Sequence, residues 1–524
     1  MATLSIKNFA AVPASLALLS SCFLAGVGCM AADSPETAKS SGSSASPTIE
    51  FTVVTYNVEN LFDVDGVAMF YDYAIEDESE PFSYSRRKFQ TKLENIVAAL
   101  KTFNDGAGPA IILFQELEAD FTPESTVEDW EAFLSEHAGQ SVGDMLGASW
   151  RNHYAGYPSH AWLLKALSDA GLTGYDVVVS PAYGMDSGIA HANAVFSKYP
   201  INDFALHRLV KARDIVEAEI DVQGHSLTVY VNHWKSGASN PDREPIRVEN
   251  ARVLRELIDA KLAEDPNADI IVAGDLNSHY NQAELFPDIE TGINDILGSS
   301  GAEDFSQSDL YNLWFELPVE ERYSEVWRGS RGTLMHMLVT PGLYDESGIS
   351  YVDGSFEKLV LPGLNADAIG RPVRWNFAGE TGGGSTDHFP VYARFKVGPF
   401  LQDGPLSQGD DVPDAELPLT VASFPGEVDA PDGTFLNGLS DGELAPYVGQ
   451  LFTVDAVVES LRPLRIQLDE RLWPAYYADS SIFEPDGLPN YIENHDGRVR
   501  LIVQPNFYRG QSQLIIEKIV GPSS

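Results

Sequence analysis

A chain of 524 residues is too long for one ordinary core, so two folded domains with flanking segments are expected. Its composition, 44% hydrophobic and 21% charged, excludes a disordered chain. Lys+Arg 34 against Asp+Glu 77 gives a formal charge of −43, which excludes a generally basic surface that would hold polyanions or anionic lipid without regard to sequence.

Residues 1–31 read as an export signal, because Lys7 precedes an apolar stretch at 9–19 that is too short to span a bilayer and is followed by small residues. Leu19-Ser20-Ser21-Cys22 is similar to a bacterial lipoprotein cleavage box, which would leave a lipidated Cys22 as a membrane anchor; a cut near Ala31-Ala32 is the alternative. Cys22 and Cys29 are the two cysteines of the chain, so the folded body is expected to use neither disulfides nor thiol chemistry. Residues 32–49, rich in Ser, Ala, Thr and Pro, read as a flexible tether.

A first strand is expected at 51–55, ending in Tyr56-Asn57-Val58-Glu59. The spacing of Phe89, Leu93, Ile96, Val97 and Leu100 predicts an amphipathic helix over 84–103, leading into a strand at 111–114 that ends in Gln115-Glu116. Residues 121–174, with Trp130, Trp150 and Trp162, fit no part of this alternation and read as an insertion near the active face whose aromatics form a local core. Strands at 214–222 and 226–232 form a hairpin around Gln223-Gly224-His225, and a second long helix is expected over 243–262. A strand at 270–273 ends in Gly274-Asp275-Leu276-Asn277, another lies at 333–340, and Ser385-Thr386-Asp387-His388 precedes a last strand at 389–397. Residues 50–397 are therefore assigned one layered domain of the α/β class.

Residues 398–417 read as a linker. Within 418–524, segments 447–460, 464–468, 498–503 and 513–519 alternate as strands, which predicts a small β domain without a catalytic constellation. An oligonucleotide/oligosaccharide-binding type of barrel is one form of it, and a β domain that only packs on its neighbour is the other.

Each of the four polar segments alone could be an Asx turn or a solvated strand end. Their order and strand context give them a common meaning. Acidic and amide side chains held at strand ends converge on one point across a sheet, as a hard cation requires of its oxygen ligands, and this points to metal-assisted hydrolysis of phosphate esters.

The segments resemble those of the endonuclease/exonuclease/phosphatase superfamily, which includes deoxyribonuclease-I-like nucleases, abasic-site endonucleases, sphingomyelinases and inositol polyphosphate phosphatases. Further matches are residues 193–201, Val231-Asn232-His233-Trp234-Lys235-Ser236 and Leu338-Val339-Thr340-Pro341-Gly342-Leu343, and the similarity spans about 50–397. Residues 57–63 together with 232–236 look most like secreted bacterial nuclease-type members. The resemblance implies a four-layered α/β sandwich of two facing sheets with outer helices. It implies a metal site of Glu116, Asn57 and Asp387, filled by Mg²⁺ or Mn²⁺ rather than zinc. Asp275 would then activate the attacking water, and Asn277 would donate to a phosphoryl oxygen. His388 and His233 would supply positive charge or a proton, and Asn232 would fix the approach of the ligand. Lys235, Arg213 and Arg247 are the nearest cations in the motif map, read as substrate contacts or as solvated surface charges.

One departure stands out. Family members carry Asp where this chain has Met335, and that Asp holds the catalytic His in its working tautomer. Methionine is a poor acceptor, so Asp304 or Asp309 would have to replace it, or the enzyme is impaired. The resulting expectation is an exported phosphodiesterase, most simply a nuclease. A phosphomonoesterase or a phospholipid or inositol phosphate hydrolase on the same fold is the first rival, favoured by the negative charge, and a surface binding protein on a degenerate fold is the second.

Overall fold

The computed structural model describes residues 49–522 apart from 75–82, 123–126, 128, 302–309, 328, 368, 399–429, 478–479, 484–486 and 509–510. The chain divides into two units, Met1–Ser46 and Pro47–Ser524, and all that follows concerns the second. The expected export signal, the tether up to residue 48, residues 399–417 of the linker, and Asp304 and Asp309 lie outside the described residues.

Two large sheets form the first body. One runs in the order Ile349–Tyr351, Val391–Val397, Ile49–Leu61, Ile111–Glu118, His191–Ser197, Asp176–Val179. The other runs Ile201–His207, Ile215–Val222, His225–His233, Ile270–Asp275, Met335–Val339, Leu310–Asn312, Ser299–Ser300. Side-chain alternation on the central strands sets the layers. Ile111 and Leu113 point between the sheets, where they meet Val53, Val231, Ala273 and Met335, whereas Ile112 and Phe114 pack outward with Leu93, Ile96 and Trp162. Ile271 and Ala273 likewise face inward, while Ile270 and Val272 pack on Leu254 and Ile258. Both faces of these strands are buried, which explains why they read as unbroken apolar runs. At roughly 1.5–3 kcal/mol for each large apolar side chain taken out of water, the two outer faces draw helices Arg86–Leu100 and Glu244–Glu264 onto the sheets. The result is the expected four-layered α/β sandwich.

Several expectations need correction. Residues 121–174 are not a separate insertion with its own core: helix Ser159–Asp169 packs beside helix Arg86–Leu100, and Trp162 shares a cluster with Phe89 and Leu93. The strand Ile201–His207 was not foreseen because it is an edge strand, with Phe204 and Leu206 exposed, and so lacks apolar alternation.

The C-terminal body is a closed barrel of Phe452–Leu461, Leu464–Leu468, Arg471–Tyr477, Gln511–Gly521 and Arg498–Tyr508, with helix Leu488–Asn494 between its third and fourth strands in sequence. This is the small barrel expected. Its third strand escapes a sequence reading because Pro474 interrupts it.

Candidate active site

The site forms where the parallel pairs Ile49–Leu61 with Ile111–Glu118, and His225–His233 with Ile270–Asp275, reach their C-terminal ends. Pairing slips between Phe114 and Leu117, and the bulge places Glu116 in the left-handed region at φ 65. Glu59, Asn60 and Asn277 share that conformation, so four strained residues that are not glycine surround one point, as is common at functional sites. Gly274 has φ 128, and a Cβ there would lie 2.0 Å from the carbonyl oxygen of Asn232. Only glycine allows the two strands to approach closely enough for Asp275 to reach His233.

Glu116, His233 and Asp275 each present a ligand atom within 4.8 Å of the others. Asn57 Nδ2 donates to Glu116 Oε1 and to Asp275 Oδ2, both at 3.1 Å, while its Oδ1 accepts from Glu59 N–H at 2.9 Å. His233 Nε2 lies 3.7 Å from Glu116 Oε1 and 3.5 Å from Asp275 Oδ2. The structure thus draws Asn57, Glu116, His233 and Asp275 from both sheets to one point.

The remaining predicted residues take different positions. Asp387 is not in the three-group cluster; it is half-buried, 3.3 Å from an Arg374 guanidinium nitrogen and 3.6 Å from His388 Nε2. His388 reaches the cluster from the other side, its Nε2 3.7 Å from Asp275 Oδ2. Asn277 holds its backbone N–H on Asp275 Oδ1 at 2.9 Å and its Nδ2 on the Trp234 carbonyl. Asn232 turns inward: its Nδ2 donates to the Tyr230 carbonyl and its Oδ1 accepts from Trp234 Nε1, so it supports the strand end. Arg247 is fully buried against Glu244 and donates to the carbonyls of Lys235 and Gly237, which makes it neither a phosphate contact nor a solvated charge. Arg213 and Lys235 are half-buried, and Arg213 donates to His191 Nδ1 at 2.7 Å.

Three residues were missed. His191 Nε2 lies 2.7 Å from Asn60 Oδ1 and 3.8 Å from Glu116 Oε2; its place directly before the segment 193–201 was the available signal. Arg374 pairs with Glu59 and Asp387, and Trp375 N–H donates to Glu59 Oε2, from a segment without apolar pattern. Glu325, half-buried on strand Glu325–Trp327, faces His388 electrostatically. Met335 stands opposite Asp275 in the sheet with its side chain in the core, and His388 Nδ1 is buried with no hydrogen-bond partner among the described residues.

The three imidazoles differ in charge. Burial, reinforced by Arg213, holds His191 and His233 well below the ordinary imidazole range, which favours the neutral form of both. Burial pushes His388 the same way, but the carboxylates of Asp387, Asp275, Glu325 and Glu116 outweigh it and raise the ring to about 9. Its folded value lies above the ordinary 6.5, so its contribution to stability is complete below pH 6.5 and is lost as pH rises through about 9. NMR titration of the metal-free protein is expected to place the His388 ring near 9, and a divalent cation should lower that midpoint. A midpoint at or below 6.5 without metal would remove the carboxylate surround from the account.

Residues 178–396 match the model of the Endonuclease/Exonuclease/phosphatase family. Among solved structures the chain is similar to truncated Caenorhabditis elegans TDP2, at 11% identity and a TM-score of 0.35, over 66% of this chain and 97% of that one. It is similar to an endonuclease/exonuclease/phosphatase family protein from Bacteroides thetaiotaomicron, at 12% identity and a TM-score of 0.37, over 67% of this chain and 100% of that one. A family protein from Leptotrichia buccalis matches at 12% identity and a TM-score of 0.35, over 66% and 98%. No curated protein matches the chain.

Proposed function

We propose, from the premise that the chain belongs to the endonuclease/exonuclease/phosphatase family over residues 178–396, that it is an exported, divalent-metal-dependent phosphodiesterase whose substrate is nucleic acid. The convergence of Glu116, His233 and Asp275 from two sheets carries this reading. The donors suit a hard cation such as Mg²⁺ or Mn²⁺, since two carboxylates meet there, with the His233 imidazole and the Asn57 amide beside them. When bound, such an ion offsets phosphate charge and polarises a phosphoryl oxygen.

The protein's own groups supply the rest. Burial raises the Asp275 carboxyl above its ordinary range, which makes it a stronger acceptor for the proton of an attacking water. His388, held as an imidazolium, donates to the phosphoryl group as charge develops. Asn277 keeps one amide N–H for a phosphoryl oxygen after serving the Trp234 carbonyl.

Two features favour a polymer. Arg243, Arg213 and Lys211 all repel the Lys235 ammonium, so four cations gather beside the site in a chain of net charge −43, and Arg213 also acts on Glu116 and Asp275. Phe70 is partly exposed with its ring 5.4 Å from that of His191, a surface on which a base can stack.

The test uses protein recovered from a bacterial host, weighed intact and then assayed with Mg²⁺ and Mn²⁺ on plasmid DNA, single-stranded DNA, RNA and small phosphate esters. Cleavage of nucleic acid is expected, with KM changing only shallowly with salt because about two to four phosphates are neutralised. Cleavage of small esters alone would transfer the assignment to that substrate class. Masses starting at Cys22 or Ala32 are expected for an exported chain, and a full-length species alone would remove export.

A further inference from the structure

Among the described residues the three-group cluster takes no member from the barrel, yet one of the barrel's buried side chains reaches the segment that completes the site. Glu517, on strand Gln511–Gly521, has a side chain only 1% exposed, and it accepts both terminal nitrogens of Arg371 at 2.5 and 2.8 Å. Arg371 also donates through Nε to Asp367 Oδ2 at 2.8 Å, and Asp367 Oδ1 accepts the backbone N–H groups of Ile369 and Arg371. A two-pronged guanidinium contact fixes direction as well as distance, and here it closes a tight turn against the barrel.

Three residues later the chain enters the site. Val373 N–H donates to the Asn365 carbonyl and Ser385 N–H to the Val373 carbonyl, so the strand-like stretch around 373 lies directly against the residues leading to Asp387 and His388. From it Arg374 reaches Glu59 and Asp387, and Trp375 N–H donates to Glu59, whose own N–H holds Asn57 Oδ1. A second contact lies close by: a Cβ on Gly379 would be 3.0 Å from Ala445 Cβ, in the chain leading into the barrel.

We propose that the C-terminal barrel is a positioning device for the active site, with Glu517 and Arg371 as positioning residues that fix the turn from which Arg374 clamps Asp387 and Glu59. The inference rests on the metal-dependent reading of that site. Neither residue touches substrate or metal. Their effect passes through Arg374 to the orientation of Asp387 and, by way of Glu59, of Asn57. Without the clamp the turn keeps its contacts with Asp367 and with the Tyr323 hydroxyl, which donates to the Gly370 carbonyl at 3.0 Å, but loses its tie to the barrel, and the carboxylate of Asp387 loses its fixed direction.

The test compares full-length wild type with Glu517→Gln, Arg371→Met and the double variant Arg371→Met/Glu517→Met, using amide hydrogen exchange and Mn²⁺ affinity by electron paramagnetic resonance. Exchange over residues 367–387 is expected to accelerate by about tenfold and the Mn²⁺ Kd to rise by about tenfold, as for other groups that support metal ligands indirectly. Protection of the barrel strand Arg498–Tyr508 should stay unchanged. Should a single variant lose that protection, the double variant decides the case, because it leaves no lone buried charge. Unaltered exchange over 367–387, or faster exchange with an unaltered Mn²⁺ Kd, overturns this inference and leaves the proposed function standing. A wild-type protein that takes up no Mn²⁺ overturns both.

Discussion

Glu116→Gln is expected to lower kcat for bis-p-nitrophenyl phosphate by roughly 10³-fold while leaving the fold in place, the scale seen when one preorganised charge-stabilising group is removed. Glu116 offers Oε1 to Asn57 and Oε2 to Asn60 N–H, and it is one of only two carboxylates in the three-group cluster. An amide keeps the shape and one acceptor but presents no charge to a hard cation. The loss of one hydrogen bond should cost about 1 kcal/mol of stability, too little to unfold a domain with two-sided cores. Thermal unfolding and Mn²⁺ uptake, measured beside the rate, separate a lost ligand from a lost fold. A rate that does not change would take Glu116 out of the chemistry.

Met335→Asp is expected to raise kcat by about tenfold or more, because other sites lose several powers of ten when the acid that orients their histidine is removed. The structure gives this expectation its geometry: Met335 faces Asp275 across the sheet, Asp275 Oδ2 lies 3.7 Å from His388 Nε2, and His388 Nδ1 has no partner among the described residues. If the new carboxylate acts through that ring rather than on Asp275 opposite, the gain should vanish in a His388→Ala background. Burying it should cost roughly 1–3 kcal/mol, visible as a lower midpoint in urea. Glu325 offers the competing outcome. If it already supplies the orienting charge, Met335→Asp will leave activity flat or lower it, and Glu325→Gln will be the damaging change. No effect from either would show that no carboxylate orients His388.

The layers of the first body were legible because its central strands are buried on both faces and its two long helices have regular apolar stripes. The residues Asn57, Glu116, Asp275 and His388 were legible because each stands beside a strand end. What stayed hidden depends on contacts that no local pattern encodes. Arg374 and Glu325 come from segments without periodicity, and their importance follows from what they face. Asn232 and Arg247 sit at readable positions, but the direction of their side chains is set by Trp234 and Glu244, which no spacing rule supplies. The place of Asp387 outside the three-group cluster has the same origin, since its partner Arg374 comes from one of those segments.

Asn57 and Asp275, joined at 3.1 Å, are 218 residues apart in the chain and belong to different sheets. A contact of that span is closed only after much of the intervening polypeptide has been ordered, because the entropy of so large a loop must be met before the contact returns anything. The proposed hydrolytic site therefore cannot assemble before both sheets are ordered. Under the proposed export, a chain threaded unfolded through a translocation channel would carry these groups as scattered side chains, and the site would assemble only on the far side of the membrane.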